Sequence, residues 1–294
     1  MKKTRIFPIL TVLYLTSCGI LNVVNAADTA SWTEAGANVR LTPDGAVLAV
    51  DARKAPDFTG ELLADLPAMR DLKLNGTQVT DETLPNLADF RALTSLALDK
   101  TGITDKTLTV IGTLPALSQL FLAETNVTDA GTSALPLGNY TRLRLAGTKI
   151  SDETLKRLGK SEKLQSLDVS NTQIGTPGVV ALAEVKTLTD VNFYATKVDD
   201  GACATLGKMT WLVKLNLDKT GVTDVGVAEL VTLENLEFLH LGRTTVTDGC
   251  IPTLLKLKKL KTLHVTRTQI TPEGAEQLSA GLPECKVISQ VEEP

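Results

Sequence analysis

Leu72-Lys73-Leu74-Asn75-Gly76-Thr77-Gln78-Val79-Thr80-Asp81 holds the plan of the whole chain. Two Leu stand two apart, Thr follows five after the first, Val two further on, and a hydroxyl–acid pair closes the stretch. The paired positions recur as Leu96/Leu98, Leu120/Leu122, Leu143/Leu145, Leu167/Val169, Val191/Phe193, Leu215/Leu217, Leu239/Leu241 and Leu263/Val265. Each step is 24 residues except the third, which is 23. The Thr recurs at 77, 101, 125, 148, 172, 196, 220, 244 and 268, always with Val or Ile two residues later. Nine coincidences at one offset identify a repeat, and a period of this length points to a solenoid.

Each part of the repeat has a physical reading. Period two in x-Leu-x-Leu-x turns the pair inward and the intervening residues outward, so the short strands stack as a parallel sheet. The Thr lies where the chain leaves the strand and is expected to be a buried hydroxyl bonded to backbone of its own or the next loop, since an unpaired one costs about 1–3 kcal/mol. Thr-Asp at 80, 104, 128, 223 and 247, and Ser151-Asp152, read as helix starts: the hydroxyl caps free N–H groups and the acid sits at the positive end of the dipole. Pro272 after Thr271 suits a first helical position. Leu84, Leu87, Phe90 and Leu93 then have helical spacing, giving a short helix with one buried stripe.

Three repeats depart from the pattern. Gly175-Thr176-Pro177 replaces the hydroxyl–acid pair, which is expected to shift that helix by one residue, and Asp199-Asp200 replaces it in the next repeat. The third repeat lacks a residue around 137–140, where a kink is expected. Caps must cover both ends, because a terminal repeat exposes its core. Thr42-Pro43-Asp44-Gly45 between two apolar runs predicts a hairpin lid. Residues 39–71 are therefore the N-terminal cap, with Leu62, Leu63, Leu66 and Met69 as the helical stripe of a degenerate repeat. The nine repeats run over 72–281, a closing strand over 282–289, and a short acidic tail over 290–294; residues 27–38 are a polar lead-in.

The pattern Leu-x-Leu-x-x-Thr-x-Val/Ile-Thr-Asp resembles leucine-rich repeats of the ribonuclease-inhibitor-like subtype, and most of all the exported versions of environmental bacteria such as planctomycetes. The resemblance covers residues 48–288 and implies an α/β solenoid: a curved right-handed stack with a parallel sheet on the concave face and short helices on the convex face. It also implies recognition of a protein on the concave sheet. It transfers no catalytic residue, since the fold is a platform whose activity lies in what it displays.

The N-terminus reads as an export signal rather than as fold. Lys2, Lys3 and Arg5 precede an apolar run from Ile6 to Leu15. Leu15-Thr16-Ser17-Cys18 resembles a lipobox that lipidates Cys18, and Val24-Asn25-Ala26 resembles an ordinary cleavage site after residue 26. An uncleaved anchor is the third reading. Membrane contact is expected only through such a lipid or anchor, and the location is periplasm, envelope or outside.

Composition narrows the partner. The chain has 34 acidic against 30 basic residues, three of the latter in the first five positions, so no basic stripe for nucleic acid is expected. No phosphate loop, zinc-protease helix or nucleophile elbow occurs, so an enzyme is not expected, nor a cofactor. The stacked Asp residues read as helix starts rather than a calcium ladder. Cys203 and Cys250 fall about two strand spacings apart, ~10 Å, too far for a disulfide. A monomer that binds an unidentified protein is the expectation; the alternative is a structural or glycan-binding envelope component.

One row across the sheet reads Lys73, Ala97, Phe121, Arg144, Asp168, Asn192, Asn216, His240, His264, and the row after it Asn75, Asp99, Ala123, Ala146, Ser170, Tyr194, Asp218, Gly242, Thr266. Both histidines of the chain fall in one row on adjacent strands, beside Phe238. The contact patch is expected around Tyr194, Asn216, Asp218, Phe238, His240 and His264, because aromatics ringed by polar groups are typical of binding hot spots. Phe121, Arg144 and Asp168 form a secondary patch. The bland reading, solvated side chains of an ordinary sheet, stays open. A metal on the paired histidines lacks a third ligand, so none is expected.

Overall fold

The computed structural model describes residues 32–290 apart from 59, 61, 65, 85 and 86. The export signal, Cys18, most of the lead-in and residues 291–294 lie outside the described residues. Twelve strands form one sheet in chain order. β1 (Asn38–Leu41) and β2 (Val47–Asp51) make the antiparallel hairpin of the N-terminal cap. β3 (Asp71–Lys73) pairs parallel with β2 and begins the repeats. β4 (Ser95–Ala97), β5 (Gln119–Phe121), β6 (Arg142–Arg144), β7 (Ser166–Asp168), β8 (Asp190–Asn192), β9 (Lys214–Asn216), β10 (Phe238–His240) and β11 (Thr262–His264) follow, and β12 (Lys286–Ile288) closes the stack. All are parallel, because each strand returns to the same edge through a helical crossover.

Register is kept through all the parallel strands: Leu72 pairs Leu96, which pairs Leu120, and so on to Leu263 against Val287, whereas the hairpin of β1 and β2 shifts between Arg40 and Leu41. Both members of each Leu pair are buried, and the inward stripe of the helical side meets them; Leu108, Ile111, Leu155 and Leu158 are fully covered. A buried Leu contributes about 1.5–3 kcal/mol over an exposed one, but a single repeat cannot cover its own pair; only its neighbours do. The nine Thr hydroxyls all act locally, donating to the carbonyl three residues back at 2.5–2.7 Å, from Thr77 to Leu74 through Thr268 to Val265. Each ties the turn that leaves a strand to the strand's own end.

The hydroxyls before the acids do cap their helices, as Thr104 does for Asp105–Ile111, and the acids also act beyond them. Asp81 reaches into the following repeat, where Oδ1 accepts from the N–H of Thr104 at 3.0 Å and of Thr107 at 3.2 Å, and Oδ2 from the Thr104 hydroxyl at 2.6 Å. Asp105, Asp129, Asp200, Asp224 and Asp248 treat Thr128, Ser151, Thr223, Thr247 and Thr271 the same way. Asp105, Asp129, Asp200, Asp224 and Asp248 do stand in the first turn of their own helices, as expected, and their carboxylates in addition clamp one repeat to the next. Burial pushes the Asp81 and Asp129 carboxyls up, yet these donors outweigh it and hold both below the ordinary range. The clamp also sets what faces it. A Cβ on Gly226 would overlap the Asp200 carboxylate, whereas Thr107 and Thr154 fill the equivalent place by adding a hydroxyl donor to Asp81 and Asp129.

Some expectations need correction. The fifth helix, Thr176–Ala181, is not shifted: Gly175 takes the cap position and its N–H meets Asp152 Oδ1 at 2.8 Å, so the preceding repeat fixes the register. The described residues between 52 and 70 form turns rather than a helix, although Leu63, Leu66 and Met69 are buried as expected. In the first repeat the described helical residues are one 3-10 turn, Leu87–Asp89. The missing residue of the third repeat is absorbed on the helical side by the short helix Asp129–Thr132 and the 3-10 turn Leu137–Asn139, and Gln119 still pairs Arg142.

Removing one clamp tests this account. Asp200→Ala orphans the N–H groups of Thr223 and Gly226 and should lower unfolding free energy by about 1–3 kcal/mol in urea titrations. Thr176→Ala, where one exposed hydroxyl bond to Asp199 of the next repeat stands in place of the carboxylate clamp, should cost less, within about 0.5 kcal/mol. Equal effects of the two would show that the clamps contribute nothing.

Candidate functional site

In-register parallel strands place equivalent residues side by side about 4.8 Å apart, so like side chains in one row stack. His240 lies opposite His264, and their rings are parallel within 7°, with centroids 4.3 Å apart. Phe238, two residues before His240 on β10, leans over both, 6.4 Å from His240 and 5.6 Å from His264, at tilts of 47° and 54°. These are favourable aromatic geometries, and together they make one half-buried aromatic cluster.

Middle-row polar residues share a second task. Where the chain leaves the strand, the side chains of Asp168, Asn192, Asn216 and His240 each accept the N–H two residues on, at 2.9–3.1 Å. Asn216 Oδ1 is thus committed to the Asp218 N–H and holds the turn. His240 accepts through Nδ1, which puts its proton on Nε2 in the neutral ring, 3.9 Å from Asp218 Oδ2.

Asp218 is only 4% exposed, and a carboxylate so buried needs a partner. Arg243 supplies it with a two-pronged bond, Nε to Oδ1 at 2.9 Å and Nη2 to Oδ2. The same guanidinium lies 5.0 Å over the Tyr194 ring, within cation–π range. Tyr194, Arg243, Asp218, His240, His264 and Phe238 therefore form one connected cluster. The sequence reading had all of these except Arg243. Arg243 occupies a left-handed backbone position (φ 53°) shared by Lys100, Glu124, Asn171, Ala195, Lys219 and Arg267. The available signal was Gly76 and Gly147 at the same offset, which mark a backbone that turns side chains back over the sheet face.

The secondary patch is also assembled. Arg144 Nε lies 3.4 Å from Asp168, and Nη1 3.5 Å from Asp99, whose buried carboxylate accepts from Asn75 and from the Ala123 N–H. Burial pushes the Asp99 carboxyl up, against these donors. Phe121 pairs with Arg144 across the ladder.

The stack bears on metal chemistry. Lone pairs in two parallel ring planes over 4 Å apart do not converge on one ion, and Asp218 is spent on Arg243. No group of three His, Cys, Asp or Glu suited to a metal occurs among the described residues. Cys203 and Cys250 are buried free thiols whose pKa burial pushes up to about 12, and Cys285 is half-buried. Nothing in the arrangement indicates catalysis.

Burial pushes both imidazoles below the ordinary histidine range. Asp218 opposes this at each ring; His264 and Arg243 add to it at His240, and Lys286 adds to it at His264. The unfolded chain then takes up protons first as pH falls, so the folded state loses stability from the ordinary histidine value of about 6.5 down through the lowered folded values. Replacing both with Gln should shrink the drop in urea midpoint between pH 7.5 and pH 5. An unchanged drop would mean that neither ring is constrained as described.

Comparison with known proteins places this architecture. A family model described as Leucine Rich repeat matches residues 160–183, 208–231 and 256–279, every second repeat of that part of the chain. No curated protein matches the chain. Among solved structures, an internalin from Listeria monocytogenes is similar over 90% of both chains, with 19% identity and a TM-score of 0.61. Internalin C2 from the same organism is similar over 70% of this chain and 84% of its own, with 23% identity and a TM-score of 0.56. At these identities the likeness shows the fold alone. Repeat match, strand-per-repeat topology and shared architecture agree: the chain carries leucine-rich repeats and folds as a leucine-rich-repeat solenoid.

Proposed function

We propose that this chain is a non-catalytic scaffold that binds a protein through the C-terminal half of its concave sheet face. The observation that carries the reading is the connected cluster of Tyr194, Arg243, Asp218, His240, His264 and Phe238. Its aromatic faces are held in place before any partner arrives, which lowers the entropy lost on binding. The buried Asp218 carboxylate at its centre, held by two bonds from Arg243, gives the cluster rigidity that solvated sheet residues do not need. The family's repeats and fold support a protein-interaction platform. We further propose that the chain is exported, on the signal read in residues 1–26; among the described residues no helix is long and apolar enough to cross a membrane.

The test is capture of the native partner by the folded domain. Phe238→Ala, and His240→Asn, which keeps an acceptor for the Gly242 N–H as Asn216 does for Asp218, should each weaken capture by about 1 kcal/mol or more while leaving the melting temperature nearly unchanged. Full capture by the double variant would move the site to Phe121, Arg144 and Asp168 or off this face.

A further inference from the structure

Beside the aromatic platform the sheet face ends in an open cleft of about 410 Å³. Its lining includes Arg243, Arg267, Lys286, His264, Thr266 and Asp218. Three cations therefore meet one carboxylate, and that carboxylate is already held by Arg243 from two sides. Arg267 and Lys286 have no carboxylate within ion-pair distance among the described residues. Along the rest of the face most basic groups are matched, Lys73 with Asp71, Arg144 with Asp99 and Asp168, Lys214 with Asp190 and Lys261 with Glu237, while Arg142 and Lys219, unpaired among the described residues, stand singly, outside the cleft. Among the described residues, two unmatched cations thus share one concavity, next to the aromatic cluster.

From this juxtaposition we infer that the cleft receives an acidic segment of the partner, its carboxylates between Arg267 and Lys286 and a neighbouring apolar side chain on Phe238 and His264. The inference rests on the protein-binding reading above and names the chemistry of its ligand. Arg267 stands in the same left-handed turn position as Arg243. With Asp218 occupied and no other carboxylate in ion-pair reach among the described residues, Arg267 offers a planar pair of donors that suits a carboxylate. His264 belongs to both halves of the site, since it lines the cleft and packs on Phe238, which sets the acidic and apolar groups of the ligand close together. Two cations in an acidic chain do not make the long basic track that a nucleic-acid backbone calls for, which favours a peptide over a nucleic acid.

The test uses the full folded chain and fluorescein-labelled, acetylated and amidated octapeptides, one alternating glutamate with phenylalanine and one with glutamine in place of every glutamate. An amidated end removes the terminal carboxylate, so any preference reports side chains. Fluorescence anisotropy should show the glutamate peptide binding at least tenfold more tightly. Arg267→Ala with Lys286→Ala should erase that preference without changing the circular-dichroism melting curve, and Phe238→Ala should weaken both peptides alike. Equal binding of the two peptides would overturn the acidic specificity. Were capture of the native partner still lost in Phe238→Ala, the protein-binding face would stand and only the ligand's charge would be wrong. Binding of an eight-residue oligothymidylate as tight as that of the glutamate peptide, and lost in the same double variant, would overturn the peptide reading in favour of phosphate.

Discussion

The carboxylate of Asp200 accepts hydrogen bonds from the N–H groups of Thr223 and Gly226 and from the Thr223 hydroxyl, all in the following repeat. The same reach recurs along the helical side, while the parallel strands of the sheet side are tied one to the next without a slip. Between these two lines of bonds lies a core in which every Leu is covered by the repeat before and after it. No repeat is complete alone, so stability comes in nearest-neighbour increments and the ends require the hairpin and the closing strand.

The aromatic and charged cluster follows from that constraint. Once register is strict, two histidines one repeat apart stack, and a residue two places earlier on the same strand packs against both. The left-handed turn after each strand brings the next residue type, here Arg243, back over the sheet to close on Asp218 and Tyr194. The buried Asp218 carboxylate would be costly left unpaired, and its two bonds to the more exposed Arg243 also hold that guanidinium over Tyr194.

Period-two Leu pairs and the invariant Thr made the strands, their parallel order and the outward rows legible, because those signals are local and repeat nine times. The target of each clamp acid was not legible. Asp81 and Thr104 stand 23 residues apart, and nothing within one repeat says that a carboxylate also reaches its neighbour's helix. The helix expected from Leu62 to Met69 failed for the complementary reason: apolar spacing reports burial, and turns can bury Leu63, Leu66 and Met69 equally well. At the site, row assignment placed Tyr194, Asp218, Phe238, His240 and His264 correctly, whereas Arg243 lay one residue outside the rows considered. Asn216 was in the right row, but its side chain serves the turn rather than the open face.

The central claim is that the displayed cluster, not the helical side, meets the partner. Photocrosslinking tests it most directly, with benzoylphenylalanine placed at position 238 on the sheet face or at position 225, where Val225 is the most exposed large apolar residue of the helical side. Irradiation in extracts of the native host should give a discrete adduct from position 238 and none from position 225. An adduct from 225 alone, or equal adducts from both, would contradict the account.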